Sequence, residues 1–306
     1  MAKNKDKDKE WTLIIDAYYL CYKAFYTMPK NFNFNDQDTN IIYGFLNQIK
    51  KLVHDFKTNK LVFCFDSPKS YRRLEYSGYK LRDENKTPQE KENIKMAKLQ
   101  FVELEEKILP AMGFKNIYSQ PGYEADDLIA ELCYRFPDDY IIITGDEDML
   151  QLLSAGPVRE TRLYMKNKKL MTQMDFEKTF GIKPCQWKIV KAIAGCHTDT
   201  IDGVDGAGEM KAIQYIRGDL PEGKIKEKIR NSNDIIQRNL KLVSLPYLGI
   251  RPISVINKYP EQDVLYSIDF MEVFSKYGFG SFVSKFDEWR QLFNLQAGSR
   301  ARTVSR

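Results

Sequence analysis

Between Gly122 and Asp148 the chain places acids at the ends of two adjacent elements, and this stretch limits the folds open to it. It reads Gly-Tyr-Glu-Ala-Asp-Asp-Leu-Ile-Ala, then an apolar run, then Thr-Gly-Asp-Glu-Asp-Met-Leu. Glu124, Asp126 and Asp127 stand where a helix should begin, because Leu128, Ile129, Leu132 and Phe136 follow at helical spacing. Tyr140–Thr144 is a short β-branched run, which predicts a buried strand with Asp146 and Asp148 just past its end. An open α/β sheet presents its crevice at such strand ends. Two carboxylates about 4 Å apart repel by roughly 4 kcal/mol at an effective dielectric of 20. Such a cluster persists when cations neutralise it or protons stay on. Oxygen-only ligands favour Mg2+ or Mn2+. A single acidic pair at a helix start is more often a cap and dipole partner, so the metal reading needs further acids.

The upstream sequence supplies them. Trp11–Asp16 reads as a strand ending on Asp16, followed by a helix over Tyr18–Phe25. Ile41–Phe56 keeps a helical apolar period, and Leu61–Asp66 is a second strand closing on an Asp. Strand, helix, strand, each strand ending in Asp, is the βαβ pattern of a parallel sheet.

Residues 67–108 break the alternation with a basic segment, in which Arg72, Arg73, Lys80 and Arg82 are interleaved with Tyr71, Tyr76 and Tyr79. A solvated helical face explains the charge alone. The rings add a second reading, stacking on unpaired bases while the cations hold phosphates. Phe101–Leu109 resumes a core helix, and Asn116–Ser119 reads as a strand. Val158–Met165 is expected as a hairpin or edge strand and Lys166–Lys169 as a basic turn, with helices over Phe176–Phe180 and Pro184–Ala194. Gly203, Gly206 and Gly208 then space a tight turn that opens a helix over Glu209–Ile216. Glycines let backbone N–H groups approach a phosphate at a helix N-terminus, so this segment reads as a helix–hairpin–helix clamp on a duplex backbone. Two lysine- and arginine-rich helices follow between Pro221 and Leu245, then a proline-containing loop over 246–262, and a helical stretch Phe270–Phe293 broken at Gly278 and Gly280.

Composition sets outer limits. The 306 residues are 43% hydrophobic and 29% charged, enough for a sizeable core, and carry a net charge of +5. Residues 166–230 hold 13 Lys/Arg against 9 Asp/Glu, which offsets the acidic cluster. Five scattered cysteines and two histidines show no zinc-finger spacing. The charged N-terminus has no signal-like apolar region and no stretch reaches a membrane span. The expectation is a cytoplasmic monomer. It comprises a disordered N-terminus (1–10), an α/β domain (11–165) interrupted by the basic segment 67–108, a helical region (166–293) with the hairpin at 184–216, and a mobile tail (294–306).

Taken together, these residues resemble the 5′→3′ exonuclease and flap endonuclease family, particularly its bacteriophage members and the 5′-nuclease domain of bacterial DNA polymerase I. The resemblance runs from Trp11 to about Leu245, with a fainter match near Phe270–Phe282, and rests on an ordered set of motifs. These are Asp16, Asp66, Arg72-Arg73, Tyr79-Lys80 with Arg82, Glu124-Ala-Asp126-Asp127, Thr144-Gly-Asp146-Glu-Asp148, and Gly195 through Ala212. It implies a PIN-like α/β fold with a helical arch and a helix–three-turn–helix, which makes 11–165 the catalytic domain, 67–108 its arch and 166–293 the DNA-binding region. It also implies metal-dependent hydrolysis of phosphodiesters in DNA flaps, nicks or ends, or in RNA primers on DNA. Asp16, Asp66, Glu124 and Asp126 would serve a first Mg2+. Asp127, Asp146, Asp148 and Asp199 would serve a second, with Mn2+ able to substitute and K+ a further cation at the hairpin. Lys80 would stabilise the scissile phosphate and Arg82 would hold it or the incoming strand. Arg72, Arg73, Tyr79, Gly203, Gly206, Gly208 and Lys211 would contact DNA.

Three departures stand out. Gly195-Cys196 replaces the family's common Gly-Asp, and a thiol is a ligand that Mg2+ avoids, so Cys196 is set aside from the metal set. Asp202 and Asp205 flank the hairpin glycines and should weaken phosphate binding. The arch is one residue shorter between Lys80 and Arg82. Two other readings remain open: a PIN-type ribonuclease acting on single-stranded RNA, and a DNA-binding scaffold weakened in catalysis at Cys196.

Overall fold

The computed structural model describes residues 9–29, 32–35, 37–81, 86–154, 159–165, 169–249 and 251–298. Arg82, most of the charged N-terminus, Val158, Lys166–Lys168 and the end of the tail therefore lie outside the described residues. The chain divides into two compact units. The first comprises Met1–Phe65, Pro88–Ile117 and Pro260–Arg306, and the second Asp66–Thr87 and Tyr118–Tyr259. The expected arch is thus shared out, Asp66–Thr87 going to the second unit and the helix Pro88–Glu103 to the first.

In the first unit, strand Trp11–Asp16 pairs in parallel with Leu61–Cys64, Asp16 standing opposite Cys64. Both strands are almost fully buried, as continuous apolar runs require. The crossover runs through helices Ala17–Thr27 and Asn40–Phe56. Asp16 starts the first of these as its N-cap, accepting from Tyr19 N at 3.0 Å. The core-helix expectation over Phe101–Leu109 becomes a longer helical segment with a π turn at Leu104–Ile108. There Leu109 N–H reaches back five residues to the Leu104 carbonyl, just before Pro110, which has no N–H to give. Gly113, at φ 108°, ends the segment. The C-terminal helices Ser267–Lys276, Gly280–Ser284 and Phe286–Leu292 bring Phe270, Phe274, Phe282 and Trp289 into one aromatic cluster.

In the second unit, strand Asp139–Ile143 pairs in parallel with Thr161–Tyr164, which pairs antiparallel with Leu170–Met171. The antiparallel pair is the expected hairpin, and its first strand is also a parallel neighbour of Asp139–Ile143, which it follows through the 3-10 helix Glu147–Ser154. Helix Ala125–Arg135 precedes these strands and buries Leu128, Ile129 and Leu132. Helices Gln173–Phe180, Trp187–Ala194, Glu209–Arg217, Lys224–Asn231 and Asn233–Val243 complete the unit. The fold is α/β with mostly parallel pairing, as expected. No described helix is long and apolar enough to cross a membrane.

Candidate metal centre and nucleic-acid interface

Most of the acids singled out in the sequence belong to the second unit, and its local structure explains where each points. Asp66 lies two residues past strand Leu61–Cys64, and its Oδ1 accepts from Ala125 N at 2.8 Å, at the first turn of helix Ala125–Arg135. Glu124 is the N-cap residue of that helix and is buried. Its Oε2 accepts from Lys80 Nζ at 2.6 Å and from the Tyr79 hydroxyl at 3.0 Å. The same two residues reach Asp199. The Tyr79 hydroxyl lies 3.4 Å from Oδ2 and Lys80 Nζ 4.0 Å from Oδ1. Lys80 N also donates to the Asp199 carbonyl at 2.9 Å, with Lys80 in the left-handed region at φ 53°. That conformation is uncommon outside glycine and costs on the order of 1 kcal/mol. Here it turns the side chain onto the carboxylates.

Asp199 in turn meets Asp148 and Cys196, the three offering ligand atoms within 4.8 Å of one another. Asp146 organises the approach, since its Oδ1 accepts from Asp148 N at 2.8 Å. Asp126 is half-buried in the first turn of its helix. Tyr79 and Lys80 thus bridge Glu124 to Asp199, which meets Asp148, while Asp66 is tied to the first turn of the Glu124 helix. Asp16 belongs to the first unit.

Charge balance varies along this surface. Burial pushes the Glu124 carboxyl up, but the Lys80 and Arg72 cations outweigh it and hold the group below its ordinary range. Burial, with the Glu124 and Asp127 charges behind it, raises Asp66 despite Lys80. Burial and then the Asp146 carboxylate push Asp148 up to about 7. Asp148 Oδ1 is buried and receives no hydrogen bond, lying 3.4 Å from Lys191 Nζ as an ion pair. A buried carboxylate oxygen without a hydrogen bond, among other oxygen donors, fits a divalent cation.

Several residues take roles other than those expected. Asp127 was assigned to the second metal, yet all its acceptor positions are used. Oδ1 accepts from Arg72 Nη2 at 2.7 Å and Tyr247 N at 2.7 Å, and Oδ2 accepts from Arg72 Nη1 at 2.6 Å and Glu124 N at 3.1 Å. Arg72 was expected on DNA but is 2% exposed, with Nε donating to the Leu242 carbonyl at 2.7 Å. Tyr79 was expected to stack on bases but is 3% exposed, packed with Ala192, Cys196 and Ile201. A guanidinium and a ring placed inside by charged and apolar partners cannot meet a nucleic acid. Arg73 and Lys211 are exposed as expected.

In the hairpin, Gly206 uses a left-handed φ of 76° and Gly208 caps helix Glu209–Arg217. Gly203 serves packing, because a Cβ there would lie 2.2 Å from the Ala194 carbonyl carbon. Asp205 pairs with Lys228 at 2.5 Å, so its charge is locally offset. Cys196, set aside from the metal set on its sequence, sits within the acidic cluster. One participant escaped the sequence reading: Lys191 is buried beside Asp148 while bonded to Glu209 at 2.8 Å. A single lysine at a buried position of the apolar helix Trp187–Ala194 was the available signal.

Residues 11–181, more than half of the chain, match the model of the 5′-3′ exonuclease N-terminal, resolvase-like domain. The chain belongs to the 5′-3′ exonuclease family. A family 5′-3′ exonuclease from Bacillus subtilis is 33% identical over 213 residues, covering 67% of this chain and 69% of the relative. DNA polymerase I of Mycobacterium tuberculosis is 28% identical over 263 residues, covering 80% of this chain but only 28% of that polymerase. The chain therefore spans little more than a quarter of such a relative's length. Two solved structures share the fold. The bacteriophage T5 D15 protein co-crystallised with metal ions matches with a TM-score of 0.65 at 22% identity, covering 78% of this chain and 90% of its own. Flap endonuclease-1 from Methanococcus jannaschii matches with a TM-score of 0.57 at 13% identity, covering 94% and 93%. At these identities the likeness is one of fold, the PIN-like α/β architecture expected for the family.

Proposed function

We propose that this family member is a metal-dependent 5′ nuclease, hydrolysing phosphodiesters in DNA flaps, nicks or ends and in RNA primers on DNA. One observation carries the reading: Lys80 and Tyr79 bridge Glu124 to Asp199, Asp199 meets Asp148, and Asp66 is held at the start of the Glu124 helix. Asp66, Glu124 and Asp126 would hold one Mg2+, and Asp146, Asp148 and Asp199 a second, with Mn2+ able to substitute. Divalent ions bound there lower the pKa of an attacking water and neutralise charge on the scissile phosphate. Lys80 offers an ammonium held at the carboxylates by its turn, free to shift onto a phosphate oxygen as negative charge builds. Tyr79 keeps its proton, since burial and the Glu124 charge raise it well above its ordinary value, so its hydroxyl serves as a fixed donor orienting Glu124. Arg72 and Asp127 fix the start of the Glu124 helix and stand outside the metal set. Arg73, Lys211 and the hairpin at Gly206 and Gly208 would hold the duplex backbone, where K+ is a further candidate cation. Asp16 enters this reading through its sequence motif alone. The five cysteines, all outside disulfides, suit a reducing, cytoplasmic setting, with a monomer as the working form.

The proteins that share the fold support the DNA assignment. The T5 D15 flap endonuclease forms a pseudo-enzyme–product complex with DNA and metal ions, matched here at a TM-score of 0.62. The deciding experiment is a cleavage assay on a 5′-labelled flap, with Mg2+ and with chelator, reading product lengths. Metal-dependent release of short 5′ products is expected. Cleavage confined to single-stranded RNA, or DNA binding without cleavage, would replace this reading.

A further inference from the structure

The second ion's pocket in this chain is not built of oxygen alone. Cys196 Sγ, Asp148 and Asp199 offer donor atoms within 4.8 Å of one another, and all three residues are buried. Sγ lies 4.0 Å from Asp148 Oδ2 and 3.0 Å from the Thr198 hydroxyl. A second observation points to a missing partner. Asp148 is 6% exposed, and its Oδ1 is buried with no hydrogen bond. The Lys191 ammonium lies 3.4 Å from that oxygen as an ion pair but gives its hydrogen bond to Glu209 at 2.8 Å. A buried carboxylate oxygen that accepts no hydrogen bond gains from a cation that coordinates it directly.

We propose that Asp148, Cys196 and Asp199 form a mixed oxygen–sulfur site for a thiophilic divalent cation of the zinc class. A tetrahedral ion with Zn–S of roughly 2.3 Å and Zn–O of roughly 2.0 Å needs its donors about 3.5 Å apart. Sγ and Asp148 Oδ2, at 4.0 Å, stand close to that spacing, and all three donors lie within 4.8 Å of one another. Binding replaces the S–H bond of Cys196 with a sulfur–metal bond, and the proton leaves to solvent. The two carboxylates and the thiolate give the site three negative charges, and the fourth position is open to water or a phosphate oxygen. Hard Mg2+ takes the carboxylates and leaves the thiol protonated, whereas a softer ion gains a ligand that Mg2+ cannot use. The pocket therefore discriminates between metals by softness, and a zinc-class ion there excludes Mg2+. This rests on the metal-site reading above but is read out separately from cleavage.

The test is Cd2+ titration of the metal-free full chain, following the ultraviolet thiolate-to-cadmium charge-transfer band. The band is expected in the wild type and in Cys185→Ser, which removes the exposed thiol, and is expected to vanish in Cys196→Ser and Cys196→Asp. Losing even an outer partner of a metal site costs about 10–100-fold in affinity, so Asp148→Asn should weaken the Cd2+ response by at least roughly tenfold. Cys196→Asp also guards against a folding artefact, since it should strengthen Mn2+ binding measured by electron paramagnetic resonance while the band disappears. A wild type without the band, a band that survives in Cys196→Ser, or an unchanged Cd2+ affinity in Asp148→Asn each overturns the proposal. Flap cleavage in Mg2+ without a Cd2+ band would sink this site alone, and a Cd2+ band without cleavage would sink the nuclease reading alone.

Discussion

Arg72 grips Asp127 through two parallel hydrogen bonds, Nη1 to Oδ2 at 2.6 Å and Nη2 to Oδ1 at 2.7 Å, with both side chains buried. The pair ties the Tyr71–Glu75 helix to the start of the Glu124 helix, and Arg72 adds a bond to the Leu242 carbonyl. Arg72→Met leaves a buried carboxylate without its cation. Breaking such a pair costs about 3–5 kcal/mol, while replacing both partners by apolar groups is often near neutral. The expected result by denaturant unfolding is a large loss in Arg72→Met and partial recovery in Arg72→Met/Asp127→Leu. Equal stability of Arg72→Met and wild type would show that the pair does not hold this region.

Lys80 is expected to act on the reaction more than on binding. Its ammonium is held on Glu124 and close to Asp199. Removing a preorganised charge of this kind costs about 10²–10³ in rate. Lys80→Ala should lose roughly that factor in single-turnover flap cleavage while DNA affinity changes only a few-fold. A loss confined to affinity would reassign Lys80 to simple phosphate holding.

Asp148 gives the metal-free protein a pH signature. Burial and the Asp146 charge raise its folded value to about 7, against an ordinary 3.8. The folded state therefore binds a proton that the unfolded state has lost between these values, and stability falls as pH rises through that window. The separation is about three pH units at roughly 1.4 kcal/mol each, an upper limit of about 4 kcal/mol. Asp148→Asn should stabilise the metal-free chain at pH 8 and change it little at pH 4, measured by thermal melts. A pH-independent effect would contradict the raised value.

Asp146 carries a different expectation. It sits beside Asp148 without being enclosed by an arginine as Asp127 is. Asp146→Ala should abolish cleavage in Mg2+ while leaving DNA binding intact, measured by gel cleavage beside fluorescence anisotropy. Retained turnover would refute its place in the metal set.

The hairpin glycines should separate by substitution. A Cβ on Gly203 would sit 2.2 Å from the Ala194 carbonyl carbon and 2.4 Å from Gly195 N, both backbone atoms that cannot step aside. Gly203→Ala should cost about 3 kcal/mol or more in unfolding free energy. A Cβ on Gly208 meets nothing within 4 Å, so Gly208→Ala should cost roughly 1 kcal/mol or less. Similar losses at both positions would show that packing does not distinguish them.

Strand-ending aspartates and helix-starting acids were legible because they follow from periods of two and 3.6 residues, which the chain carries locally. Asp16, Asp66, Glu124 and Asp146 could be placed at element ends in this way. Arg72, Asp127 and Tyr79 were read by residue type, as surface cation, metal ligand and stacking ring. Whether a charged group is exposed depends on what packs over it, and Leu242 and Ser244 lie 170 and 172 residues beyond Arg72 while Tyr247 lies 120 residues beyond Asp127.

The sequence by itself therefore determined the order of strands and helices, the family motifs and the acids available for a metal centre, because these depend on neighbours in the chain. Only the tertiary structure decided which acids remain available for metal. It enclosed Asp127 with an arginine, turned Lys80 onto Glu124, and set the Cys196 sulfur among carboxylates that sequence reasoning had left to oxygen alone. Desolvation and charge pairing act through space, and no local pattern records them.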